Sequence, residues 1–260
     1  MTVDLHNHTK LCNHAEGKIE QYIEKAIENK TKYFGFSDHA PMDFDPKYRM
    51  SFEQMSIYED DVLKAKEKYK DKIEILLGYE VDYLAGHMDD RVLHVERADY
   101  LIGSVHFIDG WGFDNPEFIG KYEEQNIDEV WQKYFDTIKD MAESKLFDIV
   151  GHLDLIKVFK YMPNKNILDI AKPALLAIKK ADMTIELNVA GYRKPVKEAY
   201  PSKELLEEAY NLNIPITFAS DAHQPEQVGL FNDEIIKLAK SVGYTQCVYY
   251  RNRKKNFIDF

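Results

Sequence analysis

Short runs rich in β-branched and aromatic residues alternate with longer amphipathic runs along the whole chain, and no other feature constrains the fold as much. Strand-like runs cover residues 2–5, 33–37, 73–81, 100–106, 148–151, 183–188 and 214–220, with an eighth candidate at 246–250. Between them the spacing predicts helices over 19–29, 52–68, 127–144, 170–181, 203–212 and 233–242. Ser51 ahead of Gln54 forms a capping-box signal, and Ser202 opens the 203–212 run in the same manner. Such repetition indicates a parallel sheet with helices outside it, either closed as a barrel or open and doubly wound. No Gly-, Ser- or Pro-rich linker divides the 260 residues, so 1–260 is expected to form one domain.

The ionisable residues choose between the two sheets. His6 and His8 follow the first strand run, Asp38 and His39 end or follow the second, and Glu80 ends the third. His106 ends the fourth, His152 follows the fifth, Arg193 lies beyond the sixth, and Asp221 with His223 follows the seventh. In a barrel these C-terminal strand ends converge on one face, whereas an open sheet spreads them across its width. The expectation is therefore an α/β barrel with one polynuclear metal site at the C-terminal ends of its strands.

The sequence Asp4-Leu5-His6-Asn7-His8 supplies the first motif. Residues two apart on a strand share a face, so Asp4, His6 and His8 are expected to point inward, about 6 to 7 Å apart per pair. Two such imidazoles can reach one zinc-like ion at about 2.0 to 2.1 Å, with Asp4 orienting them from behind. Read alone, His-x-His equally suits two polar residues ending a strand. Glu80 after Ile75-Leu76-Leu77 needs a cation, because an isolated carboxylate there would be desolvated. Asp221 and His223 repeat the two-residue spacing, and His14 sits on a loop able to fold over the barrel mouth. Seven of the nine His fall at strand ends or adjacent loops, which a set of unrelated core histidines would not do; His87 and His94 have no assigned role.

Composition closes off other classes. Lys plus Arg number 34 against 45 Asp plus Glu, a net charge of −11, which argues against nucleic-acid and anionic-membrane partners. The N-terminus lacks a signal-peptide pattern, and no apolar run approaches the roughly 18 to 20 residues of a membrane span. Cys12 and Cys247 make no disulfide framework, and a reduced cytoplasmic setting is the simplest reading. Cys12, close to several His, reads as a free and partly buried thiol.

Taken in order, His6-x-His8, His14, His39, Glu80, His106, His152 and Asp221-x-His223 resemble the complete metal-binding set of the PHP (polymerase and histidinol phosphatase) superfamily. The resemblance implies a distorted TIM-like barrel of seven strand–helix units holding two to three divalent ions, commonly zinc, manganese or iron. One ion would take His6, His8, Glu80 and Asp221, a second Glu80, His106 and His152, and a third His14, His39 and His223. The stretches at 103–114, 151–155 and 186–195 look like the histidinol-phosphatase branch, implying hydrolysis of L-histidinol phosphate in histidine biosynthesis.

On that reading, phosphate monoesters hydrolyse so slowly unaided that metal ions are needed to generate hydroxide and to neutralise phosphoryl charge. A hydroxide bridging the metals that share Glu80 is expected to attack phosphorus in line, with His106 and Asp221 in the same catalytic set. Asp38 in the mouth, or a metal-bound water, would protonate the leaving alkoxide. Arg193 suits bidentate phosphate contact, and Lys157 is a second phosphate candidate, equally readable as an exposed helix lysine. The segment 107–126 would act as a lid, its Trp111, Phe113 and Phe118 and the acids Asp109 and Asp114 suiting a cationic amine and an imidazole; Phe118 reads rather more as a core anchor. Competing readings are a broader phosphoesterase, a metal-dependent amidohydrolase and a non-enzymatic PHP module. The amidohydrolase would want a bridging carboxylated lysine near the fourth strand, where this chain has His106. A non-enzymatic module commonly loses ligands. The sequence leaves oligomeric state open, a homo-oligomer among the options.

Overall fold

The structure is a computed structural model describing residues 1–260. Seven strands form one parallel sheet in chain order: β1 (Val3–Asp4), β2 (Tyr33–His39), β3 (Glu74–Asp82), β4 (Tyr100–Ser104), β5 (Ile149–Val150), β6 (Thr184–Asn188) and β7 (Ile216–Ala219). The two ends of the sheet meet. Leu5 N donates to Phe218 O at 3.0 Å, His8 N to Ala222 O at 2.9 Å, and Asp221 N to His6 O at 2.7 Å. These bonds close the barrel at its C-terminal rim and exclude the open sheet.

The helices are α1 (Ile19–Glu28), α2 (Met55–Tyr69), α3 (Ile127–Ser144), α4 (Ile167–Lys180), α5 (Lys203–Asn211) and α6 (Asn232–Val242). Only the β3–β4 crossover lacks a full helix, having the single turn Asp90–Leu93 instead, and this is where the barrel departs from regularity. The 3.6-residue period explains the packing of α3. Val130, Trp131, Tyr134, Phe135, Ile138, Met141 and Ala142 recur every three or four positions and all are buried. Each large apolar side chain of this kind contributes roughly 1.5–3 kcal/mol on burial. The Ser51 start holds as read, with Ser51 N donating to the Gln54 side chain at 2.8 Å, although the first turn is 3-10 before α2 begins.

Tyr100 fills the barrel interior, its hydroxyl donating to Leu5 O at 2.5 Å. A Cβ on Gly35 would lie 2.0 Å from that hydroxyl, and one on Gly78 would lie 2.4 Å from the ring. Both positions must stay glycine for the ring to cross the barrel. The eighth candidate strand does form, as β8 (Gln246–Arg251), but it pairs antiparallel with β9 (Lys254–Asp259) and lies outside the barrel sheet. Thr217 Oγ1 donates to Val248 O at 2.7 Å and Tyr250 OH to Asp148 O at 3.0 Å, so the hairpin caps the end where the strands begin. The opposite rim carries the ionisable residues. No helix is long and apolar enough to cross a membrane.

Candidate metal centre

Glu80, penultimate but one on β3, is buried and surrounded by five imidazoles from four different chain segments. Its Oε2 lies 3.2 Å from His6 Nε2, 3.0 Å from His39 Nδ1 and 3.7 Å from His8 Nε2. Its Oε1 lies 3.0 Å from His152 Nε2 and 3.6 Å from His106 Nε2, and accepts from Ser104 Oγ at 2.7 Å. Asp221 Oδ1 is 3.3 Å from His8 Nε2, and His223 Nε2 is 3.0 Å from His14 Nε2. All nine expected ligand residues therefore meet at one rim, drawn together because every strand of a parallel barrel ends there.

The far sides of the rings show what the near sides are for. His6 Nδ1 donates to Glu186 Oε2 at 2.6 Å, His106 Nδ1 to Asp82 Oδ1 at 2.5 Å, His8 Nδ1 to Asp38 Oδ1 at 3.3 Å, and His14 Nδ1 to Cys12 O at 2.8 Å. A hydrogen on Nδ1 leaves the Nε2 lone pair directed into the cluster, the arrangement that metal-binding histidines share. His6 Nε2 and His8 Nε2 are 3.1 Å apart, so a proton or a cation must lie between them. His39 Nδ1 and His152 Nδ1 are buried without a hydrogen-bond partner. Donors gather in five overlapping groups: His6, His8 and Glu80; Glu80, His106 and His152; His8, His39 and His223; Cys12, His14 and His223; and His8, Cys12 and Asp38. Imidazole with carboxylate fits zinc, manganese or iron, so the residues present fit several such divalent ions.

Without a cation in the cluster, electrostatics divide the rings into two sets. Burial lowers His14, His39 (to about 4) and His223, leaving those rings neutral, the form that binds a cation. Burial works against charging His6, but Glu186, Glu80 and Asp221 outweigh it and raise its pKa. His106 is raised to about 10 against the same opposition, by Asp82 and Glu80. Burial likewise opposes ionisation of Glu80 and Asp221, yet the surrounding His hold both well below the usual carboxylate range. His152 (φ 21°) and Asp221 (φ 48°) also adopt left-handed backbone conformations, which L-residues rarely hold without compensation.

Beside the cluster opens a cleft of about 760 Å³. Arg193 reaches its wall, Nη2 donating to Ser220 O at 2.9 Å and Asp221 O at 2.8 Å, while the buried Nη1 has no partner. Phe107, Asp114, Pro116 and Phe118 from the 107–126 segment also line the cleft.

A PHP domain model matches residues 4–190. A protein of Deinococcus radiodurans, named a probable histidinol-phosphatase, is 36% identical over 255 residues, covering 96% of this chain and 97% of its own. The chain belongs to the PHP family. A histidinol-phosphatase of Bacillus subtilis is 29% identical over 87% of this chain and 95% of its own. Among solved structures, histidinol phosphate phosphatase of Lactococcus lactis, complexed with zinc, L-histidinol and phosphate, superposes with a TM-score of 0.82 at 20% identity, covering 98% of each chain, and shares the fold. Asp221, His223 and Arg193 lie beyond the PHP-matched residues, and the geometry itself brings them to the cluster.

Several side chains sit differently from the sequence expectation. Lys157 is neither exposed nor in the cleft: it is buried, with Nζ 2.9 Å from Asp154, 2.8 Å from Glu198 and donating to Ala199 O at 2.8 Å. Three oxygens occupy its ammonium hydrogens, so it has none for phosphate. Asp38 is also removed from the mouth, being fully buried behind His8 and accepting from Thr9 Oγ1; it orients an imidazole and does not face a leaving group. Asp4 accepts from Ser220 N at 2.9 Å, Ser220 Oγ at 2.6 Å and Asn7 Nδ2 at 3.1 Å, and touches neither His6 nor His8. The strand stops at Asp4, so the two-residue alternation of faces ends there.

Glu186 does the orienting that Asp4 was expected to do, and Asp82 does it for His106. Both were legible as carboxylates on the inward parity of their strands, Asp82 two residues after Glu80 and Glu186 two before Asn188. Arg49, buried and donating to Asp82 Oδ2 at 2.7 Å, was not foreshadowed by any motif. Of the lid aromatics, Trp111 and Phe113 are the buried anchors and Phe118 is half exposed on the cleft, the reverse of the expectation for Phe118. Asp109 pairs with Lys133 on the surface at 2.6 Å. Cys12 is a free thiol, fully buried, and donates to Thr9 O at 3.1 Å. His87 faces Asp43 on the surface, and His94 is exposed.

Proposed function

We propose that this chain is a metal-dependent phosphomonoesterase that hydrolyses L-histidinol phosphate to L-histidinol and phosphate. The observation that carries the chemistry is the juxtaposition of the Glu80-centred imidazole cluster with the unpartnered Nη1 of Arg193 on one cleft wall. The near full-length relatives named histidinol-phosphatase support the substrate.

The residues that would hold the ions are His6, His8, His14, His39, Glu80, His106, His152, Asp221 and His223. Divalent ions bound there supply an activated water as nucleophile and neutralise charge on the phosphoryl oxygens. The chain's own groups do the rest. Arg193 presents a guanidinium fixed by two carbonyls, leaving Nη1 to bind a phosphoryl oxygen. Glu186, Asp82 and Asp38 hold three imidazoles in one tautomer, so the donor set is preorganised before substrate arrives. Asp114 lines the cleft and suits a cationic amine or imidazolium, with Phe107 and Phe118 lining it as well.

Phosphate release from L-histidinol phosphate, nucleotides, sugar phosphates and phosphotyrosine, measured on the metal-loaded protein, tests this reading. A kcat/KM for L-histidinol phosphate at least about 100-fold above the others is expected, a gap of about 2.7 kcal/mol. Near-equal rates would leave a general phosphoesterase, and no release from any would remove the activity.

A further inference from the structure

Four side chains lining the cleft carry a buried nitrogen or oxygen with no hydrogen-bond partner: His39, His152, Arg193 and Tyr200. The first two belong to the metal cluster and the third is the guanidinium assigned to phosphate. Tyr200 is left unexplained. We propose that the Tyr200 hydroxyl donates to a phosphoryl oxygen of the substrate alongside Arg193 Nη1, making Tyr200 a second phosphate-binding residue; the inference rests on the phosphomonoesterase reading.

The ring is rigidly placed. Tyr200 N donates to Asn188 O at 3.0 Å and Asn188 N to Tyr200 O at 2.7 Å, tying the residue to the end of β6, whose Asn188 side chain donates to Asp221 at 3.1 Å. The ring stands edge-on to His152, centroids 6.4 Å apart at 76°. Behind it a Cβ at Gly191 would come within 3.1 Å of Tyr200 Cε2 and 1.9 Å of Glu198 O, so the chain there packs closely around the tyrosine. The residue is fully buried, and a buried hydroxyl without a partner is costly enough that most native structures avoid one. Three other buried donors without partners, Ser37 Oγ, Tyr122 OH and Trp111 Nε1, do not line the cleft. Tyr200 differs from them in bordering the place where an anion is expected. A phenol with an ordinary pKa of about 10 is protonated at neutral pH and offers a hydrogen, not a lone pair, to that anion.

Tyr200→Phe removes only the hydroxyl. In the ligand-free, metal-loaded protein its thermal midpoint should equal or exceed that of the wild type, because no partner is lost, and its metal content should be unchanged. Inorganic phosphate, titrated calorimetrically, should bind about 10- to 100-fold more weakly, and kcat/KM for L-histidinol phosphate should fall by a similar factor. Phosphate affinity within twofold of wild type would overturn the inference. A drop in ligand-free stability or a failure to fold would do the same, since it would show that the hydroxyl is satisfied within the protein. A wild type that binds phosphate but does not hydrolyse L-histidinol phosphate would sink the substrate reading, while the phosphate titration would still report on Tyr200.

Discussion

His6 donates from Nδ1 to Glu186 Oε2 across 2.6 Å, a contact between two fully buried side chains 180 residues apart. The same carboxylate accepts from His152 N at 3.0 Å and Asn188 Nδ2 at 2.6 Å, so one glutamate fixes parts of three strand ends. Replacing it as Glu186→Gln keeps the shape but weakens the orientation of His6. Metal affinity should fall about 10- to 100-fold with the fold retained. Competition against a chromophoric chelator checks this; unchanged affinity would make Glu186 a structural residue only.

Metal binding should release protons. His106, raised to about 10 by Asp82 and Glu80 against burial, holds a proton at neutral pH, and His6 is raised in the same direction. A cation at Nε2 displaces that proton, so affinity should strengthen as pH rises from 6 to 8. Calorimetry in two buffers of different ionisation enthalpy measures the release. A heat independent of buffer would contradict it.

Arg193→Ala should weaken phosphate more than it alters metal content. Losing a charge-assisted contact predicts an increase of about 10- to 100-fold in the inhibition constant of inorganic phosphate. Arg193→Lys should recover only part, because an ammonium lacks the planar fork that sets Nη2 on Ser220 O and Asp221 O while holding Nη1 apart as a second donor. Unchanged inhibition in the alanine variant would take Arg193 out of the site.

Lys157→Met should behave in the opposite sense. Removing the ammonium leaves Asp154 as a buried carboxylate without its counter-charge, at a cost of about 3–5 kcal/mol. Thermal or urea denaturation should register that loss, while phosphate inhibition of the folded variant shifts by less than about twofold. A variant of native stability with weakened phosphate binding would restore the lysine to the cleft.

The barrel, and the convergence of the ionisable side chains on one rim, were legible in the sequence because both rest on the order and ends of its strands. Glu80 declared itself as a carboxylate at the end of an apolar strand, and Asp221-x-His223 by its spacing. The reading failed where a contact depends on which way the chain turns after a strand. Asp4 and His6 are two apart, yet β1 ends between them, and Asp4 turns to Ser220 while Glu186 takes His6. Lys157 follows a short 3-10 turn, Leu155–Lys157, that buries it against Asp154, a placement no hydrophobic period encodes. Tyr200 carries no motif at all; only its missing hydrogen-bond partner marks it.

The most direct test of the metal-centred account is to strip the protein with chelator, return manganese or zinc in steps, and follow phosphate release from L-histidinol phosphate against ions bound per chain. Activity should be absent in the stripped protein and should rise with occupancy to a plateau at two to three ions. Full activity in chelator, or a plateau at fewer than two ions per chain, would contradict it.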